Sequence, residues 1–551
     1  MIDYNKDIYG DYEKDIKNYI EKYKPEQYEK IIEKDTRTNI VNIFSEMRTN
    51  IIKWYPFEPN KKILEIGANY GEITQELVKI TPEVTSIEFT KEKIECIKKR
   101  IKENVKLILC DNLKELKLPE KYDYIIIIGT GEYAKKLGFK NLKEMLEWSY
   151  MQLSEEGKML VAIDNKFGVK YLAGSTRNNK EVPFANYKNY VEKDYKLYGK
   201  TELENMLKQF PKYKFYYPVP NYNLTNMIYT DEYLPKRSRY NIYYREDEEI
   251  LFNETDFMEY AIKNSKFDFF TNSYLIEISK TDTSNVWYVN FSNMRQKQYK
   301  IITKITSEKV TKEAYGEQGK KHIENIQKNI EKLQQLGYTT CEKFQDGKIL
   351  SQFINKPTMD EYLARLLEQD KKEEFIQELD KWYKNLKQGF IDLVFQNVFY
   401  DGNEYIVFDQ EWYKEEASIE QIMYRSIKSL FFQHNYLKNK ITIEELYKKY
   451  NITQEKIEQF EKEEIKLQEE IVDPKILKFY SEKWNAITSI EDIKMKYKKQ
   501  LEQAYLQIQE ISNEKDKISE ENERLVEEIK KLKNSRFYKW TRFLRRKKVE
   551  K

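Results

Sequence analysis

Cysteine and histidine are scarce in this chain, with three Cys and two His among 551 residues. Cys96, Cys110 and Cys341 lack any C-x-x-C spacing and His322 stands far from His434, so a disulfide framework and a zinc site of these side chains are both excluded. A reducing compartment follows. Long apolar runs are missing as well. The longest aliphatic run is Ile125 to Ile128, well short of a bilayer span, and the opening MIDYNKDIYG lacks the apolar segment of a secretory signal. The expectation is a cytoplasmic protein, neither secreted nor transmembrane. An excess of one charge is also absent: 96 Lys and Arg against 93 Asp and Glu leave +3, which gives no general affinity for polyanions and leaves such a role to local patches.

What is present points to several domains. A chain of 551 residues exceeds one hydrophobic core. Residues 1–55 read as charged, Tyr-rich helices forming a cap, closed by Pro56 and Pro59. From there apolar strands alternate with amphipathic helices: KILEIG, VTSIEF, VKLILC, YDYIIIIG and KMLVAI. That alternation predicts an α/β, doubly wound parallel sheet, with the domain spanning 56–240. Between 250 and 440 several strands (YLIEIS, VWYVNF, YKIITKI, EKVTKEA) precede a long helix near 317–336, two more strands and further helices, the order of a two-lobed α+β domain. A helical linker is expected over 441–490. Across 493–534 there is neither Gly nor Pro, and a heptad is legible. One core position holds Leu501, Ile508, Lys515, Asn522 and Ile529, the other Ala504, Ile511, Ile518, Leu525 and Leu532, which predicts a coiled coil.

The chemistry begins at Glu65-Ile66-Gly67-Ala68-Asn69-Tyr70-Gly71, between a strand and a helix, where small residues let backbone N–H groups approach a ligand. Glu88 ends the second strand, placed to grip two ribose hydroxyls, and Asp111 ends the third, placed to accept from an adenine amino group. This set of acids and glycines resembles the motifs of class I S-adenosylmethionine (SAM) dependent methyltransferases. The resemblance implies that Glu65 and Gly67, with Asn69 and Gly71 of the same loop, line the methionine part of SAM, Glu88 the ribose and Asp111 the adenine. Asn69 replaces the family's middle glycine; Asn tolerates the left-handed backbone. After the fifth strand, Asp164-Asn165-Lys166-Phe167-Gly168 and then Lys170-Tyr171 resemble a segment of methyltransferases from bacterial polysaccharide clusters, which makes Asp164 and Asn165 the acceptor-side catalytic candidates. The competing reading of that stretch is a turn that caps the next element.

A second constellation lies downstream. Asp392 is followed five residues later by Asn397, and Asp409 follows a hairpin, the order in which protein-kinase and aminoglycoside-kinase folds place a catalytic carboxylate and two metal ligands. Lys312 on a strand and Glu324 on the next helix resemble the phosphate-binding lysine and its helix partner. The implied ligands are ATP and Mg2+, with Asn397 and Asp409 on the metal. There is no Gly between Asp268 and Tyr315, and Phe390 replaces the usual His before the Asp, so a working kinase and a degenerate scaffold both remain open.

Residues 535–551 form a basic amphipathic tail suited to an anionic membrane surface. The whole order resembles bifunctional methyltransferase–kinase chain terminators of O-antigen-type surface polysaccharide. That resemblance implies a lipid-linked glycan substrate, methylated on a terminal sugar or phosphate, a glycosyltransferase partner, a homo-oligomer through the coil, and a peripheral place on the cytoplasmic face of the membrane. The rival is a nucleic-acid methyltransferase, because E-I-G-A-x-x-G-x-I-T also resembles rRNA adenine dimethylases. Those carry an N-L-P-Y-like segment where this chain has Gly129-Thr130-Gly131-Glu132-Tyr133-Ala134, and no basic face accompanies it, so no nucleic acid is expected.

Overall fold

The computed structural model of the chain describes residues 12–175, 184, 187, 195–238, 251–475 and 490–536. They fall in two units, Met1–Ala486 and Ile487–Lys551.

In the first unit the apolar runs form strands β1 (Ile63–Ile66), β2 (Val84–Glu88), β3 (Lys106–Leu109), β4 (Tyr122–Ile128) and β5 (Leu153–Asp164). All are parallel, in the order β3-β2-β1-β4-β5, with Leu64 opposite Thr85 on one side and Ile125 on the other. Alternate residues enter two cores. Leu64, Ile66, Ile125 and Ile127 pack with Leu142 and Leu146, while Ile63, Ile126 and Ile128 pack with Ile51, Trp54 and Leu77. Burial of both faces explains the unbroken apolar runs. Helix residues before 55 therefore do more than cap the domain, since Ile51 and Trp54 cover one sheet face. The arrangement is Rossmann-like, and it brings the loops after β1 to β5 to one edge of the sheet.

The sheet does not end at residue 240. After β6 (Lys212–Val219) and β7 (Met227–Thr230), strand β8 (Ser273–Ser279) inserts between β5 and β6, antiparallel to both. The sequence pattern assigned this YLIEIS run to the next domain. Its seven residues are all buried, and the Glu277 carboxylate accepts hydrogen bonds from Tyr55 at 2.6 Å and Tyr216 at 2.8 Å, so it belongs in the middle of a sheet. Strands β9 (Val286–Phe291), β10 (Ile301–Thr306), β11 (Lys309–Ala314), β12 (Glu342–Gln345) and β13 (Lys348–Gln352) continue it, joined through the β7–β9 pairing Ile228–Val289. One sheet of 13 strands thus runs through both expected domains.

The helix Lys320–Gln335 lays Ile323, Ile326 and Ile330 on Ile301 and Ile349 at helical spacing. Beyond β13 comes a helical lobe, which holds the short hairpin β14 (Val398–Phe399) and β15 (Ile406–Val407). Strands followed by helices are present here in that sequence order, but the strands belong to the same sheet as the parallel half. Leu446, Tyr450 and Phe460 belong to that lobe's core, so as far as Ile471 the segment expected to be a linker is packed structure.

The second unit is a helix, Ile490–Asn534, of 45 residues, about 68 Å long at 1.5 Å per residue. On it Leu501, Ile508, Ile511, Ile518, Leu525, Ile529 and Leu532 are exposed, the large apolar members of the heptad seam. The basic tail lies outside the described residues apart from Ser535 and Arg536. Among the described residues no helix is long and apolar enough to cross a membrane.

Candidate active site

Two groups of polar side chains stand out, and the first sits where β1 to β5 end. Gly67 adopts φ +83°, and a Cβ there would lie 2.1 Å from Thr130 Oγ1, so the loop after β1 can touch the loop after β4 only as glycine. Asn69 is left-handed at φ +50°, as its residue type permits. Its backbone N–H donates to Glu88 Oε2 at 2.7 Å, and Phe89 N–H donates to Oε1 at 2.8 Å. Burial raises the Glu88 pKa, against the two amides and Lys93 that favour the anion. Each oxygen keeps a further lone pair for a ligand hydroxyl. Asp111 is exposed just past β3. Glu65, implied to line the ligand, has one carboxylate oxygen engaged by the protein itself. Its Oε2 accepts from Thr74 Oγ1 at 2.6 Å and Ser86 Oγ at 2.7 Å, tying the following helix to β2, and burial pushes its pKa up to about 7.

On the acceptor side the two candidates separate. Asp164 is buried, its Oδ1 2.7 Å from Lys170 Nζ and its Oδ2 accepting from Tyr171 at 3.1 Å. Asn165 acts as the turn-capping alternative requires. Its amide donates to the carbonyls of Phe269 and Thr271, both at 2.7 Å, and its Oδ1 accepts from Phe167 N–H, which leaves no side-chain donor for a substrate. The residue that sequence reasoning missed is Glu132. Its Oε1 accepts the backbone N–H of Asp164 at 2.9 Å, while buried Oε2 has no hydrogen-bond partner among the described residues. Burial first, and then the Asp164 charge, push its pKa up to about 7. An acidic residue closely following the aliphatic run Ile125 to Ile128 was the available signal. Tyr222, whose hydroxyl would meet a Cβ on Gly129 at 2.7 Å, had none.

The second group gathers Lys312, Asp392, Asn397 and Asp409. Lys312 Nζ lies 2.5 Å from Asp409 Oδ1 and 2.6 Å from Glu342 Oε1. Burial alone would lower its pKa, but those two carboxylates outweigh burial and raise it. Glu324 is exposed and is not this lysine's partner; Glu342 on β12 holds that place. The reason is helical phase: His322, Ile323 and Ile326 occupy the buried face, and Glu324 falls opposite. Asp392 Oδ2 accepts from the backbone of Glu411 at 3.1 Å and Trp412 at 2.9 Å, and burial pushes its pKa up to about 7. Asn397 donates to the Asp392 carbonyl at 3.0 Å. Arg295, from the loop between β9 and β10, pairs with Glu411 at 2.5 Å, and Glu411 also meets His322 at 2.9 Å. Among the described residues no three His, Cys, Asp or Glu are arranged to hold a metal.

No family model matches the chain. It is similar to malonyl-[acyl-carrier protein] O-methyltransferases: 28% identity over 151 residues to that of Bacillus cereus, covering 27% of this chain and 53% of that protein. The Priestia megaterium protein of the same name is 29% identical over 120 residues, 21% of this chain and 40% of its own. The chain thus spans about half the length of the curated relatives it matches. Among solved structures, the plantazolicin methyltransferase BpumL bound to SAH aligns at 18% identity and TM-score 0.29, over 49% of this chain and 98% of that one. A SAM dependent methyltransferase from Archaeoglobus fulgidus aligns at 16% identity and TM-score 0.26, over 44% and 93%.

Proposed function

We propose that the chain is a SAM-dependent methyltransferase whose acceptor is a lipid-linked bacterial surface glycan. One observation carries the first part. The glycine loop after β1 is clamped onto the β2 carboxylate by the Asn69 N–H, with Asp111 at the next strand end, so a cradle and two acceptors for a nucleoside stand side by side. These residues fit SAM: Glu88 would hold the ribose, Asp111 the adenine, and the loop from Gly67 to Gly71 the amino-acid end. SAM, when bound, supplies an electrophilic methyl group. The protein's part is to hold an acceptor in line beyond β4 and β5 and to take up its proton. The curated relatives support the reaction type, and their named acceptor, malonyl-[acyl-carrier protein], is the alternative substrate. The glycan reading is supported by the order of segments and by the resemblance of the stretch after β5.

The meeting of Lys312, Asp392, Asn397 and Asp409 in one cluster supports a second reading, in which the chain end is also phosphorylated. The internal pairing of Lys312 with Glu342 and of Arg295 with Glu411 supports the scaffold alternative. Magnesium-dependent ATP binding separates the two. The uncovered heptad seam supports a homo-oligomer through the coil, and the tail sequence supports contact with an anionic membrane beside a glycosyltransferase.

The test is methyl transfer from tritiated SAM to three acceptors: lipid-linked glycan, ribosomal RNA and malonyl-[acyl-carrier protein]. Label in the glycan is expected. Label in either of the others would replace the substrate assignment, and failure of the protein to bind SAM or SAH would remove the methyltransferase reading itself.

A further inference from the structure

Glu132 is a buried carboxylate with one oxygen engaged and the other unclaimed among the described residues. Two residues before it, Thr130 touches the glycine loop; its own Oε1 holds the backbone of Asp164. The carboxylate is therefore anchored at the end of β5, two residues along the chain from the contact with the glycine loop. A buried oxygen of this kind, with no partner among the described residues, costs free energy unless a ligand satisfies it. Asp164, by contrast, is committed to Lys170 and Tyr171.

We propose that Glu132, not Asp164, is the group that receives the acceptor's proton, and that the acceptor is therefore an O–H or N–H nucleophile and not a carboxylate. The inference rests on the methyltransferase reading. In the step, the acceptor heteroatom's lone pair forms the new bond to the methyl carbon as the S–CH3 bond breaks. That bond's electron pair stays on sulfur, and the X–H proton passes to Glu132 Oε2. A carboxylate acceptor has no proton to give and would meet the acidic pair Glu132 and Asp164, unfavourably at this burial. The curated relatives are named for methylating malonyl-[acyl-carrier protein], so this chain departs from them at the acceptor.

The groups facing Glu132 are Asp164 from β5, Lys170 from the next helix, and Tyr195 and Tyr198 beyond it. Its pKa of about 7 makes the carboxylate mostly ionised at pH 8 and mostly protonated at pH 6. The probe is sinefungin, a SAM analogue with an ammonium group where the transferable methyl stands, compared with SAH, which has nothing there. Calorimetry on the full chain should show sinefungin preferred over SAH, by a ratio that rises at least fivefold from pH 6 to pH 8. Glu132→Gln keeps an oxygen for the Asp164 N–H; it should leave SAH affinity within twofold and abolish both the preference and its pH dependence. SAH binding with a ratio that is flat in pH in the wild type overturns the proposal even if the variant fails to fold. No SAH binding at all instead overturns the methyltransferase reading. As a second measurement, methyl label from SAM should remain on the product through mild base; release as methanol would identify a methyl ester and overturn the acceptor class.

Discussion

Replacing Glu88 by Ala removes one carboxylate and leaves two backbone donors, Asn69 N–H and Phe89 N–H, without their acceptors at 2.7 and 2.8 Å. A hydrogen bond to a charged group contributes about 1.5 to 3 kcal/mol, and of the two only the Asn69 bond reaches the loop from Gly67 to Gly71, which therefore loses about that much local restraint. Part of that returns as water reaches the amides. The bound ribose separately loses acceptors for its hydroxyls, about 1 to 3 kcal/mol, and at 1.4 kcal/mol per tenfold the combined effect on SAH affinity should be about 10- to 100-fold. Glu88→Gln should also weaken binding, because its amide carries only one acceptor oxygen and must turn an N–H toward one of the two backbone donors. The assay is calorimetric titration of SAH into the full chain, with far-UV circular dichroism showing that the variants are folded. Unchanged SAH affinity in folded Ala and Gln variants would refute the assignment of this carboxylate to the nucleoside.

Gly67→Ala should lose SAH binding, since the backbone sits at φ +83° and the new Cβ would overlap Thr130 Oγ1; Thr130→Gly in the same chain should restore thermal stability in part, because the overlap goes and the dihedral cost stays. Glu65→Gln should stabilise the protein at pH 8. A carboxyl raised from 4.5 to about 7 by burial is fully favourable below 4.5 and loses that stability as pH rises through 7, so the Gln variant gains about 3 kcal/mol at pH 8 and nothing at pH 4, measurable by urea unfolding. Lys312→Met leaves the Glu342 and Asp409 carboxylates without their shared cation and should cost about 3 to 5 kcal/mol in the same measurement, with Glu342→Gln recovering part. Ile511→Glu with Ile518→Glu places charge in the heptad seam and should yield a 67.1 kDa monomer by light scattering with SAH affinity unchanged; an intact oligomer would exclude the coil as its cause.

Local pattern by itself determined the parallel half of the sheet, because strands buried on both faces read as apolar runs and their loops carry small and acidic residues at set places. The left-handed loop at Gly67 and Asn69 and the place of Glu88 at the end of β2 were legible for that reason, and so was the long helix Ile490–Asn534, whose heptad is a property of one segment. Tertiary structure alone decided the rest. Ser273–Ser279 reads as a strand in any context, but only non-local pairing could insert it between β5 and β6 and merge two expected domains into one sheet. Asn165 and Glu132 show the same limit at the site. Whether a polar side chain serves the fold or remains available to a substrate depends on which distant groups reach it. The carbonyls of Phe269 and Thr271, more than 100 residues away, engage Asn165, while no described group engages Glu132 Oε2. Lys312 likewise found its carboxylates on β12 and after β15, where strand pairing delivered them, and the helix phase turned Glu324 away.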